Sequence, residues 1–309
     1  MGNTCTATVT DVASYTLVIA PQPQRKWGWK RDLPDLRDRI LRFSAAAKAG
    51  LPRAIDLRPR EHFPIYEQGT LGSCTANALG AAFHFAQIQQ GLTGFVPSRL
   101  FLYFNEREME GSIDEDAGAY IRDGVKSLCQ QGICSEVHWP YIESSFMLRP
   151  SNAAYEEAGR NRAQEYARVP QTLEDMKACI ASGFPFVFGF LVYFSFQSIP
   201  VALTGNMSMP WACCDSVRGG HAVMACGYDD ERRVFIVRNS WGSGWGDRGY
   251  FYMPYDYIVD PELVEDLWAV KVVESGDFPS VPMHGPPDGR HRANCLCGAW
   301  RGAAARPRA

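Results

Sequence analysis

Cys74 stands in "QGTLGSCTANALG", residues 68 to 80, behind Gly69 and Gly72 and directly ahead of an apolar helical run. A free thiol titrates near pH ~8.5 and is a weak nucleophile at neutrality. At a helix N-terminus the dipole and the unpaired N–H groups favour the thiolate. The two glycines let the backbone turn tightly, leave the sulfur open, and keep the Cys74 N–H available to an oxyanion. Gln68 supplies a side-chain amide just upstream. Two such donors aimed at one oxygen form an oxyanion hole, where loss of one costs about 3 kcal/mol. A thiolate also needs a cation and a proton carrier. "RGGHAVMACGYDD" offers His221 behind Gly219 and Gly220, and "VRNSWGSGWGDRGYFYMP" offers Asn239. An Asn amide that accepts from one imidazole nitrogen fixes the ring, so that the other nitrogen faces the sulfur. Trp241 would shield that hydrogen bond from water.

Positioning these groups requires a helix behind Cys74 and strands ahead of His221 and Asn239. Leu79, Ala82, Phe83, Ala86 and Ile88 recur at helical spacing, which predicts a helix from Cys74 to about Gln90 that stops at Gly91. Further helices are predicted over "SRLFLYFNEREM" with Ser98 as N-cap, "GAYIRDGVKSLCQQG" closed by Gly132, and "TLEDMKACIASG" between Thr172 and Gly183. "SNAAYEEAGRNRAQEY" carries a weaker helical pattern. Beyond it, "FPFVFGFLVY", "HAVMACGYDD", "RRVFIVRNS" and "GYFYMPY" are short, aromatic and β-branched, and read as strands. Helices in the first half and strands in the second give an α+β chain of two lobes.

The whole chain has 309 residues, 46% hydrophobic and 21% charged, with a formal net charge of −3. That balance excludes nucleic acid as the main partner, because no overall positive field attracts phosphates. No apolar run approaches the ~18 residues that span a bilayer. "MGNTCTATVTDVASYTLVIAPQP" lacks the basic start and long apolar core of a secretory signal, so the reading is intracellular, cytoplasmic and monomeric. The ten cysteines are then expected to stay reduced. "MGNTCT" also fits a myristoylation pattern at Gly2, the one route to membrane contact. His284, His291, Cys295 and Cys297 match no standard zinc spacing, and no metal or organic cofactor is expected.

"NSWGSGWGDRGYFYM", "GGHAVMACGY", "QGTLGSCTANALGAAF" and "GICSEVHWPY" together resemble the papain-like cysteine peptidases, family C1, from about Leu51 to about Val273. The resemblance implies a two-lobed fold with the cleft between a helical lobe and a strand-rich lobe. It assigns Cys74 as nucleophile, His221 and Asn239 as its partners, and Gln68 as oxyanion donor, acting on a peptide or protein substrate without a cofactor. Two positions depart from the family pattern. Leu71 stands where secreted members carry half of a disulfide, and Thr75 stands where an aromatic residue follows the nucleophile. The long helical propeptide is absent, and "GWKRDLPDLRD" is similar instead to the N-terminal segment of compact microbial and viral members. The organisation expected is an N-terminal arm over 1–50, a short propeptide-like segment, followed by a nucleophile-bearing helical lobe over 51–165. A β-rich lobe over 166–273 and a disordered basic tail over 274–309 complete it.

The resemblance also implies that Gly189, Gly219 and Gly220, with Trp241, lie along the substrate, the glycines leaving room for a side chain two residues before the cut. Strand alternation is read as letting one of Phe188 and Phe190 face that pocket. No acidic residue lies in "FPFVFGF" or "RGGHA", so the pocket is expected to take a bulky apolar or aromatic side chain. Acyl transfer by the same triad, or a peptide-binding homologue without activity, are the other readings the sequence leaves.

Overall fold

The computed structural model describes residues 25–271, apart from 93, 212 and 213, and a two-residue ladder between β1 (Val9–Thr10) and β2 (Thr16–Leu17). Gly2 and the expected basic tail lie outside the described residues.

The helix expected behind the nucleophile spans Cys74–Gln89 and is α2, after the short α1 (Ala45–Ala49). Every residue from Cys74 to Gln87 is buried. A helix apolar all round must be covered on all sides. Here α3 (Arg99–Glu110) and α4 (Ile121–Gln130) pack on one side and the main sheet on the other. Ser98 caps α3 by accepting from the Phe101 N–H at 3.1 Å, and Gly111 closes it in the left-handed conformation. The weaker pattern yields α5 (Asn152–Ala158), and Thr172 caps α6 (Leu173–Ala181). Tyr120 and Ala119, read as the start of a helix, instead form β5 (Ala119–Tyr120).

The sheet is antiparallel, in the order β10 (Tyr250–Pro254), β9 (Val234–Arg238), β8 (Val217–Asp229), β7 (Phe186–Tyr193), β11 (Val264–Lys271), β6 (Glu165–Arg168). The short helices α7 (Ile199–Thr204) and α8 (Tyr255–Ile258) flank it. One strand crosses from the other half of the chain: β4 (Ala54–Asp56) pairs antiparallel with β8. The architecture is thus α+β, with helices gathered against one multi-stranded sheet. Phe186, Phe188 and Phe190 are fully buried. Residues two apart on a strand share a face, so Phe188 and Phe190 point the same way. The expectation that alternation separates them is corrected accordingly.

Candidate active site

Cys74 is the first residue of α2, and its N–H therefore has no acceptor within the helix. Its sulfur lies against the backbone N–H of Ala222 on β8, next to His221. The register sets His221 opposite Phe190 on β7, and the two rings meet edge-on at 5.8 Å. Asn239 follows the last residue of β9, and its Oδ1 lies 2.9 Å from His221 Nε2. The Ser240 N–H donates to the same Oδ1 at 2.8 Å. An oxygen that already accepts from an amide calls for a donor on the imidazole, so Nε2 carries the proton and Nδ1 keeps its lone pair. Buried His221 Nδ1 has no hydrogen-bond partner. Trp241 stacks on His221 at 5.1 Å and an interplanar angle of 27°.

Ser240 has a second role that the sequence did not suggest. Its hydroxyl donates to Gln68 Oε1 at 2.7 Å, and its carbonyl accepts from the Gln68 N–H at 2.9 Å. Gln68 Nε2 spends one proton on the Leu71 carbonyl at 2.9 Å and keeps one. The loop bearing Gln68 is thereby fastened to the residue after Asn239. Arg238, on the other side of Asn239, is held by Glu61 at 2.6 Å in a fully buried ion pair. The strand end that carries Asn239 is fixed on both sides.

Thr75, the departure just after Cys74, donates its hydroxyl to Glu106 of α3 at 2.8 Å. Glu106 is fully buried, and burial pushes its carboxyl well above the usual range, against the Thr75 hydrogen bond and with Glu110 and Asp123 adding to the rise. In place of the expected aromatic ring, a small hydroxyl residue here meets a buried acid.

The N-terminal arm occupies the cleft. Gly28 lies on the loop before Cys74 so closely that a Cβ at position 28 would be 1.7 Å from the Gly72 carbonyl oxygen. Its own carbonyl accepts from the Ala119 N–H at 2.7 Å, and β3 (Trp29–Lys30) continues as a parallel ladder with β5. On one side of Gly28, Trp27 covers His221 at 6.0 Å and Trp241 at 5.9 Å. Arg25 beyond it lies over the Trp241 ring and pairs with Glu67. On the other side the Trp29 indole enters a slot walled by Gly189 and Gly220. Cβ atoms there would lie 1.9 Å and 2.7 Å from the ring.

Sealed in this way, Cys74 and His221 are both 0% exposed. Burial pushes the Cys74 thiol up to about 12, against the N–H groups of Ala222, Gly28 and Thr75. It takes His221 down to about 4, against the Asn239 hydrogen bond and with Arg25 adding to the fall. The expectation that the helix terminus lowers the thiol pKa is overturned in this closed form, because loss of water outweighs the dipole and the donors. Both shifts favour the neutral thiol and the neutral imidazole.

Comparison with known proteins identifies the family. A family model described as papain family cysteine protease matches residues 51–260. The chain belongs to the papain family of cysteine proteases. An uncharacterized peptidase C1-like protein of Acanthamoeba polyphaga mimivirus is 41% identical over 273 residues, covering 81% of this chain and 88% of that one. The solved structure of Xylellain, a cysteine protease from Xylella fastidiosa, superposes with a TM-score of 0.77 at 41% identity, over 83% of this chain and all (100%) of that one. Pro-cathepsin H of Bos taurus is 29% identical over 217 residues, 65% of this chain and 59% of its own length. The chain is a cysteine-type peptidase, a hydrolase of the papain family.

Within this papain-family peptidase, Gln68, Cys74, His221, Asn239 and Trp241 converge on one site. Gly189 and Gly220 meet Trp29, while Gly219 meets Trp27, whose ring a Cβ at 219 would approach to 2.4 Å. No disulfide joins the described cysteines. Among the described residues, no helix is long and apolar enough to cross a membrane. Sequence reasoning missed Ser240, Glu106 and Asp266. The last matters most: the pocket around Trp29 does contain an acid, contributed by β11 rather than by either stretch scanned for one. Asp266 accepts from Trp29 Nε1 at 3.0 Å.

Proposed function

We propose that the chain hydrolyses peptide bonds with Cys74 as nucleophile, His221 as proton carrier, Asn239 as its orienting partner, and Gln68 with the Cys74 N–H as oxyanion donors. The open His221 Nδ1 takes the thiol proton, and the thiolate attacks the scissile carbonyl. The tetrahedral oxyanion then lies between the spare Gln68 amide proton and the helix terminus. His221 protonates the leaving amine, and water resolves the thioester with the same imidazole as base. Every proton in this cycle passes through one nitrogen. The observation that carries the reading is the His221 ring, held at Nε2 and open at Nδ1, beside a cysteine that starts a helix.

The arm makes the described form latent, and residues 1–50 act as a short propeptide-like segment. A peptide substrate and the arm compete for one cleft, so activity requires the arm to leave. The test uses the full chain with Trp27→Ala and Trp29→Ala, which remove the two rings seated in the cleft. This variant should react with an epoxide inhibitor of thiol peptidases at Cys74 and cleave a peptide library, whereas the unaltered chain should do both slowly. Cleavage that persists after complete epoxide labelling of Cys74 would overturn the assignment.

A further inference from the structure

Asp266 is built into its position at some conformational cost. The β11–β7 register shifts between Glu265 and Trp268, and Asp266 has φ 59°. A bulge of this kind re-aims a side chain, and a left-handed non-glycine residue is held by its surroundings, commonly at a functional site. The carboxylate is 4% exposed and forms the base of the slot whose walls are Gly189 and Gly220. Its Oδ1 accepts from Arg168 Nη1 at 3.2 Å. Its Oδ2 accepts from Trp29 Nε1 at 3.0 Å and from the Asp32 N–H at 2.8 Å. Both Oδ2 donors belong to the arm.

When the arm leaves, a buried acceptor in the cleft therefore loses both partners at once. A site that has such an acceptor penalises an occupant with no donor far more than it rewards extra apolar surface. The slot is flat, because glycine stands on both walls, so it takes a planar ring. The base has no net charge to offer a cation: Asp266 remains paired with Arg168, and Arg168 itself loses Asp32 and Asp38, its two arm partners, at 3.0 and 2.6 Å. We propose that Asp266 is a specificity-determining residue that selects peptides with an indole where Trp29 now sits, over rings of the same shape without an N–H and over cationic side chains. This rests on the peptidase reading above.

The arm itself supplies a first test that needs no catalysis. Opening of the full chain is read as the rate of Cys74 alkylation by iodoacetamide. Trp29→Phe should raise that rate about tenfold or more, the span expected for a lost hydrogen bond to a charged group, and Trp29→Arg at least as much. In an Asp266→Ala background, Trp29→Phe should add nothing. An unchanged rate in Trp29→Phe, or the same increment with and without Asp266, overturns the proposal. The second test varies the substrate and leaves Asp266 intact. The full chain carrying Trp27→Ala and Trp29→Ala is given peptides with Trp, 3-benzothienylalanine, Phe or Arg at each position before the cut. At one position kcat/KM should be about tenfold higher for Trp than for the benzothienyl isostere, with Arg below both. Equal rates for Trp and its isostere at every position, or Arg as the best residue, refute it. Failure to cleave any peptide, with the alkylation pattern as expected, would strike the peptidase reading and support the pocket.

Discussion

The arm is latched by a buried cluster of charge, and its grip should weaken as pH rises. Asp32 has a fully buried side chain and faces Asp266 of β11, Trp268, Arg168 of β6 and Arg122 at the start of α4. Asp38 binds both arginines, at 2.6 and 2.7 Å. Three carboxylates thus share two guanidinium groups, leaving one negative charge in excess. Burial first, and then Asp266, raise the Asp32 carboxyl from 3.8 to about 7, against Trp268 and the two arginines. A carboxyl with a raised pKa holds its proton more tightly in the docked form than in the released one. Docking is therefore strongest in acid, weakens from about pH 4 upward, and levels off above about pH 7. At ~1.4 kcal/mol per pH unit, that span is worth at most ~4 kcal/mol.

The assay compares Cys74 alkylation in the unaltered chain with that in Asp32→Asn, whose amide does not titrate. Taking their ratio at each pH cancels the ordinary ionisation of the thiol. The ratio should rise by roughly one to two orders of magnitude between pH 5 and 7.5, then flatten. A ratio that is constant, or that falls over this range, would refute the assignment of Asp32 as the titrating latch.

The other expectations concern the site and its support. In the full chain freed by Trp27→Ala and Trp29→Ala, Cys74→Ala should abolish peptide hydrolysis, and Cys74→Ser should be nearly as inactive because the same imidazole does not ionise a serine; turnover assays decide. His221→Ala should lower kcat by about 10²–10⁴, and Asn239→Ala by less, since the ring loses its orientation and keeps its chemistry; equal losses in two folded variants would argue against an orienting role. Ser240→Ala removes one hydrogen bond from Gln68, about 1 kcal/mol, and should reduce kcat roughly fivefold with KM little changed. Thr75→Val leaves Glu106 Oε2 unpaired and should destabilise the fold by about 1–3 kcal/mol in urea titrations. Because the Thr75 hydrogen bond favours the ionised carboxylate, that deficit should grow as pH rises through the raised folded-state pKa of Glu106; a deficit that shrinks would mean the hydroxyl favours the protonated acid.

Cys74, His221 and Asn239 could be singled out in the sequence because their signals are local. Cys74 opens a run of helical period, His221 sits behind two glycines at the head of a strand, and Asn239 closes another. The α+β arrangement followed from the same periodicities. What the sequence did not disclose is long-range. Trp29 meets Asp266 across 237 positions, and nothing in "VEDLWAVK" marks the bulge that aims that carboxylate into the cleft. β4 joins a sheet built almost entirely from the second half of the chain, through pairing that no local pattern encodes. The state of the Cys74 thiol divides along the same line. Position at a helix terminus argues for a thiolate, and that argument is local. The seal formed by Trp27, Gly28 and Trp29 argues for a neutral thiol, and it wins because it removes water from sulfur and imidazole together. On the proposed reading, reactivity depends on whether the arm is seated, and the charges that seat it, on Asp32, Asp38, Arg122, Arg168 and Asp266, come from four separate segments of the chain.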